Sequence, residues 1–167
     1  MISVVVVASD EEHALALTLS ALVPAAAEGF VREVIVATDG ASPGTRLIAD
    51  ALGCSIVEGG RARAVAMARS DWVLLLAPGV RLEPDWFREA AVFIERARRT
   101  GNDRHAALFR HAVDEFGISA RLAEVKGRLL AWFRPPRVVL ARKTALSDGR
   151  RLRTSSLRSR AFVTGLG

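Results

Sequence analysis

Ile2-Ser3-Val4-Val5-Val6-Val7-Ala8-Ser9-Asp10-Glu11-Glu12 is the stretch on which the fold turns. A strand with one wet face alternates apolar and polar residues. The continuous apolar, mostly β-branched run over residues 2–8 instead predicts a strand buried on both faces of a parallel sheet. The abrupt change to Ser9-Asp10-Glu11-Glu12 marks a helix start. Ser9 or Asp10 can cap it, and Glu11 and Glu12 favour its first turn, where the helix dipole is positive. The helix is expected from Glu11 to about Ala25.

The same unit recurs along the chain. Residues 33–38 predict a second strand, residues 39–44 a turn, and residues 45–52 a helix stopped by Gly53. Residues 54–57 predict a third strand and residues 62–68 a short helix. Residues 72–76 predict a fourth strand. A long helix follows over residues 83–99, with Pro84 in its first turn and Gly101 beyond its end. Strands alternating with helices at this spacing argue for an open α/β sheet, mainly parallel, flanked by helices on both faces. The remaining third is less regular. Residues 103–116 and 118–133 are expected to be helical, the second amphipathic and basic. Residues 137–141 read as the last strand and residues 147–167 as a loose basic tail.

The composition is that of one globular domain: half of the 167 residues are hydrophobic and a quarter charged. No apolar run approaches the ~20 residues that span a bilayer, and no basic region precedes the first apolar run as in a secretory signal. Cys54 is the single cysteine and reads as a buried, inert thiol. The expected compartment is the cytoplasm, with attachment to the inner membrane face as an option. The net charge of +6 is uneven. Residues 1–120 hold 12 arginines against 16 carboxylates, whereas residues 121–167 hold 12 cations against 2 carboxylates. That asymmetry suggests an anionic partner, a phosphate or an anionic membrane surface, with nucleic acid least expected. A general bias toward arginine, 22 of the 24 cations, accounts for it equally well.

In open α/β sheets ligands bind beyond the carboxyl ends of the strands. Three such ends are polar here: Ser9-Asp10-Glu11, Thr38-Asp39-Gly40 and Gly59-Gly60-Arg61-Ala62-Arg63. An aspartate at a strand end can accept a hydrogen bond from a base or ribose. Glycines admit a phosphate to the backbone, and arginines pair with it. Taken singly, each feature is as well explained by a turn or a solvated edge; their succession along consecutive strands is what points to a site. The fourth end, Ala77-Pro78-Gly79, has no carboxylate.

These segments resemble the family-2 glycosyltransferases, enzymes of the GT-A fold. Residues 2–12 are similar to the family's opening strand, which usually ends Pro-Thr-x-Asn-Glu-Glu. Residues 33–45 (EVIVATDGASPGT) resemble its EIIVVDDGSTDGT segment, with Thr38 in place of the first aspartate. Gly60-Arg61-Ala62-Arg63 matches a Gly-Arg-x-Arg stretch of a bacterial subgroup. Asp71-Trp72-Val73-Leu74-Leu75-Leu76, followed by Arg81-Leu82-x-Pro84-x-Trp86, matches the flanks of the metal motif. The resemblance covers residues 2–87, about half the chain. It implies one GT-A-like domain over residues 1–146: a nucleotide-binding half at 2–100 and a reduced acceptor half at 101–146. It also implies a nucleotide-sugar donor held by Ser9, Asp10, Glu11, Asp39, Gly60, Arg61 and Arg63, with Asp39 on the base.

The departures fall on the chemistry. Ala77 and Gly79 stand where the family has its metal-binding acids, so no divalent metal or other cofactor is expected, and Arg61, Arg63 or a C-terminal arginine would steady the leaving diphosphate. Only seven residues separate Arg63 from Asp71, about one helical turn fewer than usual, and the family's Asn-x-Gly is absent there. Pro135-Pro136-Arg137 stands in place of Gly-Asp-Gln, and no Glu-Asp pair follows Gly149. Asp114 or Glu115 could serve as base, but a solvated helix end is the simpler account, and no catalytic residue is assigned. His105, His111 and Glu115 have helical spacings that suit a metal, yet packed or solvent-facing histidines explain them better. Two functions remain open: a glycosyltransferase that is metal-independent or catalytically reduced, and a noncatalytic nucleotide-binding or scaffold protein using its basic C-terminal region. Neither the sugar, the acceptor nor the oligomeric state is legible.

Overall fold

A computed structural model of the chain describes residues 1–8, 11–101, 104–113, 138–147 and 152–163. The elements run β1 (Ile2–Val7), α1 (Glu12–Ala27), β2 (Val31–Thr38), α2 (Pro43–Ala51), β3 (Ser55–Glu58), α3 (Gly60–Met67), β4 (Trp72–Leu76), β5 (Val80–Leu82) and α4 (Trp86–Thr100). β6 (His105–Val113), β7 (Val139–Arg142), α5 (Lys143–Ser147) and β8 (Arg153–Val163) follow. One eight-stranded sheet has the order β3-β2-β1-β4-β7-β6-β8-β5.

β1, β2, β3 and β4 are parallel to one another, with β1 between β2 and β4. β1 is nearly all interior, and its alternate residues serve two different cores. Ile2, Val4 and Val6 face α1 and α4, among Leu15, Leu19, Leu22, Trp86, Ala90 and Phe93. Val5 faces the other way, with Ile35, Ala37, Val73 and Leu75, against Ala64 and Val65 of α3. Helices cover both faces because both faces are apolar; each buried Val or Leu contributes about 1.5–3 kcal/mol. A buried polar cluster closes the amino end of the sheet. Ser3 donates to Glu33 at 2.6 Å and accepts from the Ser70 N–H at 3.1 Å.

α2 ends in a Schellman arrangement. The Cys54 N–H reaches the Ala49 carbonyl at 2.8 Å and Gly53 takes φ +65°. α4 stops at Gly101, φ +61°. Aromatic contacts tie α4 to the sheet: Trp86 meets Phe109 at 6.0 Å and Phe93 meets Trp72 at 5.8 Å, both edge-on.

The second half departs from the sequence reading. Residues 103–116, expected as helix, contain β6, which lies between β7 and β8. Its Ala-Ala-Leu favours a helix locally, but ladders on both sides and the burial of Ala106, Ala107 and Phe109 override that preference. The tail over residues 147–167 contains β8, which pairs with β6 and, over its last three residues, with β5. Between Leu108↔Ser156 and Arg110↔Arg160 the ladder advances two residues on β6 and four on β8. This bulge breaks the alternation by which a strand is recognised, so β8 reads as patternless. β7 is consequently not the last strand, and β5 was not anticipated. The amphipathic basic helix expected over residues 118–133 lies outside the described residues. Among those residues, no helix is long and apolar enough to cross a membrane.

Candidate functional site

The carboxyl ends of the four parallel strands lie level at one edge, through the registers Val7↔Ala37, Val6↔Leu76 and Thr38↔Glu58. Ala8 extends the alignment by donating its N–H to Ala37 at 2.8 Å. Beyond β2 the chain turns on Thr38, whose hydroxyl oxygen accepts the Gly40 N–H at 3.1 Å. This local turn leaves Asp39 exposed between them.

Beyond β3, Gly59 donates its N–H to the Thr38 carbonyl at 3.2 Å. Gly59 and Gly60 take φ +102° and +75°, a region that L side chains rarely enter, so the turn into α3 requires glycine. The structure brings Asp39 to this turn. A Cβ built on Gly60 would lie 3.5 Å from Asp39 Oδ1, and one on Gly59 would meet Arg63 Cδ at 3.1 Å and Nη1 at 3.6 Å. Asp39 thus stands beside Gly60, and Arg63 beside Gly59, at the α3 amino terminus. Arg61 is exposed on the first turn of that helix, and Glu11 is half-buried at the start of α1, its carbonyl accepting from the Leu15 N–H at 2.9 Å. Ser9 and Asp10 lie outside the described residues.

Two site features were not legible. Glu12, read only as a first-turn residue of α1, accepts the Ser42 hydroxyl at 2.6 Å across the β2–α2 turn. The turn after β4 is also fastened to α1: the Gly79 N–H donates to the Ala14 carbonyl at 3.0 Å, and Gly79 is buried. Proximity across thirty or more residues leaves no local signal in a sequence. For Glu12 the nearest hint is Gly44, a residue without a side chain in the first turn of a helix.

Hard divalent ions take oxygen ligands. Ala77, Pro78 and Gly79 supply none from side chains, and the Ala77 carbonyl already accepts the Val80 N–H at 3.3 Å. These residues do not fit the divalent ion that the family resemblance places at this turn. Among the described residues, no three acidic, histidine or cysteine side chains gather as a metal site. His105 is packed edge-on against Phe93 at 5.6 Å and bonded to Ser155 at 2.8 Å. The side chain of His111, together with Asp114 and Glu115, lies outside the described residues. Cys54 is half-buried; burial pushes its thiol above the usual range and away from the reactive thiolate.

A cavity of about 680 Å³ lies elsewhere, between α4 and β8, lined by Glu89, Phe93, Arg96, His105, Ser155 and Arg158 among others. His105 begins β6 and Ser155 lies near the start of β8, so it opens away from the carboxyl ends of β1–β4. At its wall, Glu89 accepts the N–H groups of Arg158 and Ser159, both at 2.7 Å, and the Ser159 hydroxyl at 2.5 Å. Those donors belong to the bulge. Burial raises the Glu89 carboxyl, but its three hydrogen bonds and the Arg158 charge outweigh that and hold it below the ordinary range.

No protein-family model matches the sequence, and no curated protein sequence matches it. Solved structures do resemble the fold. Staphylococcus aureus TarS, residues 1–349 in complex with UDP, superposes with a TM-score of 0.67 at 17% identity, over 98% of this chain and 60% of that one. Glucosyl-3-phosphoglycerate synthase from Mycobacterium tuberculosis, solved with Mn²⁺, UDP and glucosyl-3-phosphoglycerate, gives 0.55 at 20% identity, over 86% and 57%. A mycobacterial protein gives 0.58 at 22% identity, over 86% and 54%. The chain therefore spans between 54% and 60% of the length of these three structures. What the topology and these likenesses establish is a GT-A fold, with Ala77, Pro78 and Gly79 at the turn after its fourth strand.

Proposed function

We propose that the chain binds a nucleoside-diphosphate sugar across the carboxyl ends of β1, β2 and β3 and transfers the sugar without a divalent ion. One observation carries this reading: Asp39 stands beside Gly60, and Arg63 beside Gly59, at the amino terminus of α3, on the carboxyl edge of a GT-A sheet. Asp39 would accept a hydrogen bond from the base. Gly59 and Gly60 would admit the diphosphate to backbone N–H groups at the positive end of α3. Arg61 and Arg63 would supply cationic donors for the leaving phosphate. Ser9, Asp10 and Glu11 would complete the wall after β1.

A second reading, nucleotide binding without transfer, is favoured by the turn after β4, which is apolar and fastened to α1. Calorimetry with UDP, followed by transfer and hydrolysis assays on a sugar-nucleotide panel in chelator and in Mn²⁺, separates the two. Asp39→Ala is expected to weaken UDP binding by about 1–3 kcal/mol, the cost of leaving a polar partner unsatisfied. Unchanged affinity would remove Asp39 from the site. Stimulation of turnover by Mn²⁺ of about ten-fold or more would overturn the metal-free mechanism, and binding with no turnover in either condition would select the second reading.

A further inference from the structure

The first turn of α1 touches two other strand-end loops. Ala14 takes the Gly79 N–H of the turn after β4. Glu12 takes the Ser42 hydroxyl of the turn after β2. Ser42 is the N-cap of α2 and accepts the Thr45 N–H at 3.0 Å. A hydroxyl that donates to a carboxylate is polarised into a stronger acceptor, so the Glu12 bond tightens the cap behind it. The carboxylate also sits at the positive end of α2. It lies so close to the Gly44 Cα that a Cβ there would overlap it. Gly44 is not among the positive-φ glycines, so what it gives the Glu12 carboxylate is room and not a special conformation.

The segment carrying Asp39 is thus held at both ends. Thr38 fixes it to β2 through the Gly40 turn, and Ser42 fixes it to α1 through Glu12. We infer that Glu12 is a positioning residue that holds the Asp39 loop in its nucleotide-accepting form, with Gly44 as the space it requires. Its effect on affinity rests on the nucleotide reading above; its effect on the loop does not. Glu12 is exposed, so its bond adds little to global stability and acts on the order of the loop.

Amide exchange over residues 40–46 of the free protein, UDP affinity and melting temperature would be measured for Glu12→Ala, Glu12→Gln, Gly44→Ala and the Glu12→Ala/Gly44→Ala double variant. Glu12→Ala is expected to speed exchange in the loop and weaken UDP binding about five- to ten-fold, the loss of a preorganised wall, while melting stays near wild type. Glu12→Gln, which keeps an acceptor, should recover most of the loss. Gly44→Ala should resemble Glu12→Ala by expelling the carboxylate, and the double variant should be no worse than Glu12→Ala alone. Unchanged loop exchange in Glu12→Ala, or additive losses in the double variant, would overturn the inference. A wild-type chain that fails to bind UDP would instead overturn the nucleotide reading.

Discussion

Glu89 illustrates how much one side chain can carry at long range. Its two oxygens serve backbone donors 69 and 70 residues away, in the part of β8 where the bulge removes strand partners. Because its carboxyl is held below the ordinary range, it stabilises the fold above the unfolded-state value of about 4.3 and loses that contribution as pH falls through the lower folded-state value. Glu89→Gln is expected to melt below wild type at neutral pH, with the gap closing in acid; a gap constant from pH 6 to 3 would show that charge is not involved. Such residues explain what a sequence conceals. The place of Asp39 was legible because it follows from neighbours in the chain: a strand before it and a glycine after it. Glu12 and Glu89 were not, because their partners lie 30 and about 70 residues distant.

Among the elements, β4 was read without error and β6 and β8 were misread, for physical reasons. Val73, Leu74, Leu75 and Leu76 are buried between neighbouring strands and helices on both faces, so the sequence is uniformly apolar and stops at a proline turn. β6 owes its form to ladders with two distant strands, and its local preference for a helix gave the opposite signal. β8 carries exposed arginines at 153, 158 and 160, together with the bulge. Both devices discourage a strand from pairing with other chains, and both remove the alternation that would reveal it. Leu74, fully buried among α1 and α4 side chains, is the element's most informative probe. Leu74→Ala is expected to cost about 2–5 kcal/mol in denaturant melts, with no change in the slope of the transition; a cost under about 1 kcal/mol would mean that the packing against α1 and α4 is looser than described.

At the scale of the molecule, the two halves differ in character. β1–β4 form a parallel, doubly covered sheet with Glu11, Asp39 and Glu58 at its carboxyl edge. Residues 104–167 carry 14 Lys or Arg against four Asp or Glu. Co-sedimentation with anionic vesicles is expected to exceed that with neutral ones and to fall with salt, since each basic residue near such a surface contributes about 1 kcal/mol, screened over about 8 Å at physiological ionic strength. Equal pelleting with both would leave the arginines a compositional trait. The tie between Gly79 and Ala14 has a consequence of another kind, for redesign. Gly79 is buried and held at φ +81°, where an aspartate would be strained and its carboxylate short of water. Aspartates introduced at Ala77 and Gly79 would therefore not by themselves make an ion cradle at this turn; the loop would first have to let go of the helix. The tie acts as a latch on any redesign of the turn.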